Sequence, residues 1–330
     1  VDESTAFKNR NSARSKAMLE VSWKFKYRRA LTGTFMPNTI TDVWHQAMII
    51  DRGERLGTNF FRFQSSVCEP QQVGPAVNHV KWVDKPAARD AVSDLLRDIS
   101  IRHVFEECTD IPPNKITEYP VELSPAQRTA YDELRSHAIL ELAGSEVNAL
   151  HAASLMSKLL QLTTGAVYNT DGIGSLLSTE RYEIVHELVS ERDHSLVVFN
   201  WKHERDNLLA LLNKAKVPCA VIDGSTQSNK NMTAEIVDRF QAGEFQALLV
   251  QPQSAAHGLT LTKAATTIWS SPTFNAELYQ QMVRRIYRTG QTRKTETIHI
   301  YAEDTLEPYV YDKLTKKLDA MSDLLGMLKQ

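Results

Sequence analysis

The chain has 330 residues, 42% hydrophobic and 24% charged, with 38 basic and 40 acidic side chains and a formal net charge of −2. This balance excludes a disordered or collagen-like chain, and the length accommodates two domains of ordinary size. No apolar run approaches the ~20 residues of a membrane-spanning helix, no signal or transit peptide is visible, and any nucleic-acid contact must be made by a local patch.

The first residues read Val1-Asp2-Glu3-Ser4, without methionine, like the end of a buried strand whose beginning lies upstream. Two adjacent carboxylates at the carboxyl end of a strand stand where α/β sheets place their ligand chemistry. A basic run follows: Lys8, Arg10, Arg14, Lys16, Lys24, Lys26, Arg28 and Arg29, with Glu20 as the one acid among them. Such a run serves either as a solvated face or as a surface near nucleotide or nucleic acid. The segment 27–38 predicts a short strand entering a hydroxyl-rich turn (Thr32, Gly33, Thr34) closed by Pro37 and Asn38.

Residues 39–110 read as mixed and mostly helical, with Phe60, Phe61 and Phe63 as packing residues. Ile111-Pro112-Pro113-Asn114 is a breaker, so the expected domains are 1–110 and 111–330. After it come a strand over 115–123, a helix opened by Ser124 and Pro125 and running to about Glu141, and a second helix over 147–162, together a helical hairpin insertion at about 124–165. From Ser178 strands and helices alternate: strands at 195–199, 219–222, 247–250, 266–269 and 297–300, with helices at 179–191, 203–214, 233–241, 277–288 and from about 306. That alternation predicts an α/β lobe, a parallel sheet with helices on both faces. The three cysteines (Cys68, Cys108, Cys219) are too far apart for a metal-ligand spacing and read as reduced thiols of a cytosolic protein.

Polar or glycine-containing turns follow several strands: Asn200 after one, Asp223-Gly224-Ser225-Thr226 after the next, and Ser254, His257, Gly258 and Thr260 after a third. In a doubly wound sheet such loops share an edge and can form one surface. The 277–288 helix carries Gln281, Arg285 and Arg288 at spacings of four and three, one row on one face, with Gly290 expected to end it and Gln291 beyond. Two guanidinium groups and an amide in a row suit a polyphosphate, or simply form a solvated basic face.

Taken in order, Asp-Glu-Ser, Leu-Thr-Gly-Thr-x-x-x-Asn, Val-Phe-Asn-Trp, Asp-Gly-Ser-Thr, Ser-Ala-x-His-Gly-Leu-x-Leu and Gln-x-x-x-Arg-x-x-Arg-x-Gly-Gln resemble the motifs of superfamily 2 helicases. The ending Arg-x-Gly-Gln is similar to the Swi/Snf-type branch, and Ser-Ala-Ala-His-Gly-Leu to its bacteriophage and prophage members. The resemblance implies a RecA-like lobe at 111–330, preceded by the remnant of a first RecA-like lobe with a helical insertion. It implies an ATP-dependent DNA translocase or helicase that uses ATP and Mg²⁺ and works in the cytosol of a bacterium or phage-infected host. Replication or recombination proteins are candidate partners, and whether the DNA is duplex or single-stranded stays open.

By the same resemblance, Asp2 would hold Mg²⁺, Glu3 would polarise the attacking water, and Thr32, Gly33 and Thr34 would couple nucleotide state to nucleic-acid contact. Gly258, Gly290 and Gln291 would touch nucleotide, with Gly258 at the interlobe cleft. Arg285 and Arg288 would stabilise charge on the γ-phosphate, oriented by Gln281. Asn200, Asp223, Gly224, Ser225, Thr226, Ser254, His257 and Thr260 would meet nucleic acid. The chain departs from the family where Phe35 replaces the usual Pro and Thr260 the usual Asn. It also contains no Gly-x-x-x-x-Gly-Lys-[Ser/Thr], so the expectation is a carboxyl-terminal portion that is inactive alone. The alternative is a non-catalytic DNA- or protein-binding module derived from a helicase lobe.

Overall fold

The computed structural model describes residues 1–33, 35–36, 39–72, 80–103, 105–108, 110–144, 149–168, 174–227, 229–255 and 258–316. The expected roles of Thr34, Pro37, Asn38 and His257, and the predicted start of the second hairpin helix at 147, lie outside them. The chain divides into two compact units, 1–104 and 105–330.

In the first unit, a 3-10 turn at Ser4–Phe7 is followed by α1 (Ala13–Ser22), α2 (Asp42–Asp51) and α3 (Phe60–Val67), then β1 (Cys68–Gln72), β2 (Val80–Asp84) and α4 (Ala88–Leu95). Ser12 and Asn59 cap α1 and α3 through their side-chain oxygens. Strands β1 and β2 form an antiparallel hairpin where the sequence had suggested mostly helix. The core is Ile40, Val43, Trp44, Met48, Leu56, Phe63, Val67 and Val92. Of the three clustered phenylalanines Phe63 is buried, whereas Phe61 is 65% exposed and carries the Arg10 guanidinium 4.9 Å from its ring centre.

The second unit contains α5 (Phe105–Cys108), β3 (Lys115–Val121), α6 (Pro125–Gly144), α7 (Ala149–Thr163), β4 (Ala166–Tyr168), β5 (Gly174–Leu176), α8 (Glu180–Ser190), β6 (Ser195–Val198), α9 (Lys202–Lys214) and β7 (Cys219–Ile222). It continues with α10 (Gly224–Gln227), α11 (Lys230–Gln241), β8 (Ala247–Val250), α12 (Pro252–Ala255), β9 (Thr266–Trp269), α13 (Ala276–Ile286), β10 (Glu296–Ala302) and α14 (Glu307–Lys316). Six strands form one sheet in the order β3-β10-β9-β6-β8-β7, every neighbouring pair parallel.

Strand alternation sorts the apolar side chains onto two faces. Leu196, Val198, Leu248 and Val250 pack with Met156, Leu159, Phe240, Met282, Ile286 and Tyr311, which brings α7, α11, α13 and α14 to one side. Val197, Ala247, Leu249, Ile268 and Ile298 pack with Tyr182, Val185, Leu208 and Leu212, which brings α8 and α9 to the other. Because both faces are covered, β6, β8 and β9 are buried along their whole length and read as apolar runs whose polar members are the hydroxyl residues Ser195, Thr266 and Thr267.

One buried polar network ties these layers together. Glu307 accepts from Arg181 Nη2 (2.6 Å), the Ala302 main-chain N–H (2.6 Å) and Thr163 Oγ1 (2.7 Å), while Arg181 Nη1 donates to the Ser270 carbonyl (2.7 Å). It joins α7, α8, β10, α14 and the loop after β9 at a point that water does not reach.

Candidate functional site

In the first unit the opening residues run beside 29–31. The Val1 N-terminus donates to the Arg29 carbonyl (2.6 Å), Leu31 N–H to the Val1 carbonyl (2.8 Å), and Ser4 N–H to the Leu31 carbonyl (3.1 Å). This is a parallel pairing of two extended segments, too short to register as strands. Val1 is 40% exposed. Glu3 then turns the chain with a left-handed backbone (φ 49°, ψ 55°) into the 3-10 turn. Ser4 Oγ anchors that turn to Gln46 Oε1 (2.7 Å). The expected pair is thus presented at a sharp bend, with Asp2 exposed and Glu3 half-buried. Asp2 Oδ1 accepts the Glu3 N–H at 3.0 Å. Thr32 and Gly33 follow directly on the paired segment.

In the second unit the candidate residues fall into two groups rather than one surface. At the carboxyl end of the sheet, the turn after β7 is built by its own side chains. Asp223 Oδ1 accepts from Ser225 Oγ (2.6 Å), Ser225 N–H (2.9 Å) and Thr226 N–H (3.3 Å), and its Oδ2 accepts from Arg205 Nη1 (2.6 Å). Burial alone would raise this carboxyl, but the donors outweigh it and hold it down at about 2. Asp223, buried and ion-paired to Arg205, and Thr226, buried, shape the turn; Gly224 and Ser225 are its exposed members.

Asn200, after β6, is likewise engaged: its Nδ2 donates to Ser271 Oγ (2.9 Å), the Ser271 carbonyl (3.1 Å) and the Pro272 carbonyl (3.1 Å). Ser254 is buried in α12, and Thr260 is exposed.

The second group gathers where α13 ends. This helix starts after β9, with the Asn275 side chain capping Leu278 N–H (3.1 Å), and runs back toward the amino end of the sheet. It ends at Ile286, two residues sooner than predicted, because Tyr287 leaves the helical region (φ −86°, ψ 79°). Arg288 is therefore not part of a helical row. The turn nevertheless returns it to Arg285: Arg285 Nη1 and Arg288 Nη1 both donate to the Leu259 carbonyl, at 3.0 and 3.1 Å. In exchange Leu261 N–H donates to the Arg285 carbonyl (3.1 Å). Arg285 is buried and Arg288 half-buried.

Gly290 lies beyond the helix and does not end it, but it does adopt the left-handed backbone expected of it (φ 97°). Gly258 does the same (φ 73°), and at both glycines the space where a Cβ would stand is open.

Gln291 is placed differently from expectation. Its Nε2 donates to the carbonyls of Ala264 (2.9 Å), Thr262 (3.1 Å) and Ile286 (3.3 Å), and its Oε1 accepts from Thr292 and Arg293 N–H (both 3.1 Å). With its side-chain amide committed on both ends and the residue buried, Gln291 staples the helix end to the approach to β9. Gln281 does not bond the arginines either; its Nε2 reaches back to Glu277 Oε1 (3.4 Å).

Sequence reasoning missed the groups that brace these positions: the Leu259 carbonyl, Ser271, Arg205, Glu204 and the Arg181–Glu307 pair. Main-chain acceptors carry no sequence signal. Glu204, three residues after Trp201, was visible as the glutamate of a capping box, but Trp201 lacks the hydroxyl that makes that pattern conspicuous.

A six-stranded parallel sheet with helices on both faces, bearing paired arginines at one helix end and polar turns at the carboxyl edge, is the RecA-like lobe of a helicase-type ATPase. Residues 1–167 match the SNF2-related domain and residues 180–290 the helicase conserved C-terminal domain. The chain belongs to the SNF2-related family, within the Swi/Snf branch of superfamily 2.

Protein p41 of Acyrthosiphon pisum secondary endosymbiont phage 1 is 28% identical over 98% of the chain, which spans 70% of that protein. An uncharacterized ATP-dependent helicase of Mycoplasma genitalium is 24% identical over 98% of the chain, which spans only 30% of it. The Danio rerio chromodomain-helicase-DNA-binding protein 1-like is 25% identical over 96% of the chain, which spans 31% of it. Among solved structures, the Sulfolobus solfataricus SWI2/SNF2 ATPase core in complex with dsDNA has the same fold, with a TM-score of 0.51 and 21% identity over 99% of this chain and 68% of that one.

Proposed function

We propose that the complete protein is an ATP-dependent DNA translocase or helicase of the Swi/Snf type, hydrolysing ATP between two RecA-like lobes to move along DNA in replication, recombination or repair. In this reading, residues 1–110 are the carboxyl-terminal part of the first lobe and 111–330 the second lobe. The observation that carries it is the Arg285–Arg288 pair converging on the Leu259 carbonyl. Two like charges held side by side, next to the bare backbone of Gly258 and Gly290, form a grip for a polyphosphate. Charge that develops on a transferred phosphoryl group is stabilised by guanidinium groups positioned in advance.

Asp2 and Glu3 fit the remaining chemistry. Neither is engaged in an ion pair among the described residues, and Asp2 keeps one carboxylate oxygen beyond its bond to Glu3 N–H. Asp2 would hold Mg²⁺, a cation that takes oxygen ligands and, when bound, neutralises phosphate charge. Glu3 would orient the attacking water, and Thr32, Gly33 and Thr34 would relay nucleotide state. Gly224, Ser225, Thr260 and the loop at Asn200 supply the nucleic-acid contacts, chiefly to backbone phosphate, which suits a motor indifferent to sequence. Duplex DNA is the favoured track, since the Sulfolobus relative of the same fold is described as bound to dsDNA. The cytosol of a bacterium or phage-infected host is the place of work in this reading; no helix of the described residues is long and apolar enough to cross a membrane.

The 330 residues contain no phosphate-binding loop sequence, and that one fact favours the second reading, a binding module without turnover. The test is ATP hydrolysis by the 330-residue chain and by the complete coding product. Turnover confined to the complete product supports the motor, whereas Mg²⁺-dependent turnover by the chain alone contradicts the assignment of the phosphate loop to a segment outside it.

A further inference from the structure

We propose that Glu204 is a positioning residue: accepting from the main-chain N–H groups of Asn200 and Trp201 and from Ser271 Oγ, it sets the loop through which the end of β6 meets DNA. The inference rests on the DNA reading above and adds a residue outside all the helicase motifs.

Glu204 is wholly buried, and a carboxylate survives there only if donors surround it. Three converge on one oxygen, Oε2: Asn200 N–H at 2.9 Å, Ser271 Oγ at 3.0 Å and Trp201 N–H at 3.1 Å. Its other oxygen, Oε1, has no partner among the described residues. Burial pushes the carboxyl's pKa up, against the main-chain donors that pull it down.

The need for this arrangement begins in the sequence. The first turn of α9 has orphan N–H groups, and Trp201 at the cap position has no oxygen to accept from them. Glu204, the third residue of the helix, instead reaches back to the N–H of Trp201 at the cap and of Asn200 before it. It also reaches sideways to Ser271 in the loop after β9, the neighbouring strand. Asn200 makes the reverse connection through Nδ2 to Ser271 and Pro272, and its carbonyl accepts from Gln251 Nε2 (3.4 Å) in the loop after β8. The carboxyl ends of β9, β6 and β8, adjacent in the sheet, are thereby braced on one residue whose backbone Glu204 holds.

Without the carboxylate, two N–H groups and a hydroxyl lose their acceptor in a place closed to water. They can recover one only by turning outward, which rotates Asn200 and carries with it Trp201, whose indole lies parallel to His203 (6.2 Å, 10°).

The test is fluorescence anisotropy of a short labelled DNA duplex of mixed sequence, titrated with the 330-residue chain at one fixed salt concentration. Glu204→Ala should weaken binding by about tenfold or more, and Glu204→Gln, whose amide oxygen accepts the same three bonds, should stay within about twofold of wild type. Ser271→Ala, a milder change should Glu204→Ala fail to fold, should weaken binding in the same direction by about threefold. A Glu204→Gln as weak as Glu204→Ala overturns the acceptor role. Wild-type binding by both Glu204→Ala and Ser271→Ala overturns the positioning role itself. A wild-type chain with no affinity for duplex DNA overturns the DNA reading and this inference with it.

Discussion

Arg285 and Arg288 share a single acceptor, the main-chain carbonyl of Leu259, although one lies within α13 and the other beyond its end. The shared carbonyl offsets the repulsion of two adjacent cations, and the two residues differ in burial. Arg285→Ala should therefore cost the chain about 1–3 kcal/mol, because its removal strands buried groups, and Arg288→Ala less than about 1 kcal/mol. Urea unfolding of the two variants checks the order; equal losses would mean that the carbonyl does not hold the pair as described.

Gly258 and Gly290 flank this pair with left-handed backbones and open space at the Cβ position. Substitution to alanine meets no clash, so the cost is backbone strain alone, about 1 kcal/mol at each site. Thermal unfolding of the single and double variants should show small, additive losses. A loss of several kcal/mol at either position would reveal a steric constraint that the structure does not contain.

Much of this architecture is legible in the sequence because β6, β8 and β9 are runs of apolar and hydroxyl residues punctuated by polar turns, and the bounds of β7, β8 and β9 emerge as read. What escaped depends on atoms that the sequence does not advertise. The predicted end of α13 falls two residues late because Tyr287 and Arg288 are both acceptable helix residues, and the contacts that accompany the earlier end, Arg288 to Leu259 and Gln291 to Ile286, carry no local sequence signal. Asp223 and Gln291 resemble ligand residues by position, yet local donors and acceptors saturate both. The β1–β2 pairing escapes a sequence reading because Cys68–Gln72 and Val80–Asp84 carry no sustained two-residue alternation of apolar side chains.

The Arg181–Glu307 pair is buried on both sides (5% and 0% exposed) and joined by a 2.6 Å bond. Glu307→Ala should destabilise the second unit by about 3–5 kcal/mol, since it leaves an uncompensated buried guanidinium. The double variant Arg181→Met with Glu307→Leu should recover part of that loss in denaturant unfolding, but not all, because the Ala302 N–H, the Thr163 hydroxyl and the Ser270 carbonyl still lose their partners. If the double variant proves as unstable as the single one, the pair contributes more than mutual neutralisation.

His203 and His299 are both pushed down to about 4, chiefly by burial; His299 also meets the Tyr279 hydroxyl at 2.9 Å and stacks on Tyr311. An unfolded imidazole titrates near ~6.5, so between about pH 6.5 and 4 the unfolded chain binds more protons than the folded one. Stability should be full above about pH 6.5 and fall as the pH drops through 4, by up to about 3 kcal/mol per histidine. Equilibrium unfolding across this range measures the slope, and His299→Gln should remove one histidine's share of it. A flat profile would contradict the burial of both rings.

The most direct test of the account is DNA-stimulated ATP hydrolysis by the complete protein carrying Arg288→Ala, measured together with its affinity for duplex DNA. Loss of an arginine that stabilises transferring phosphoryl charge should lower stimulated turnover by about a thousandfold and leave DNA affinity within about twofold of wild type. Turnover that is unchanged while DNA binding persists would contradict it, and Arg285 and Arg288 would then be a structural clasp on Leu259.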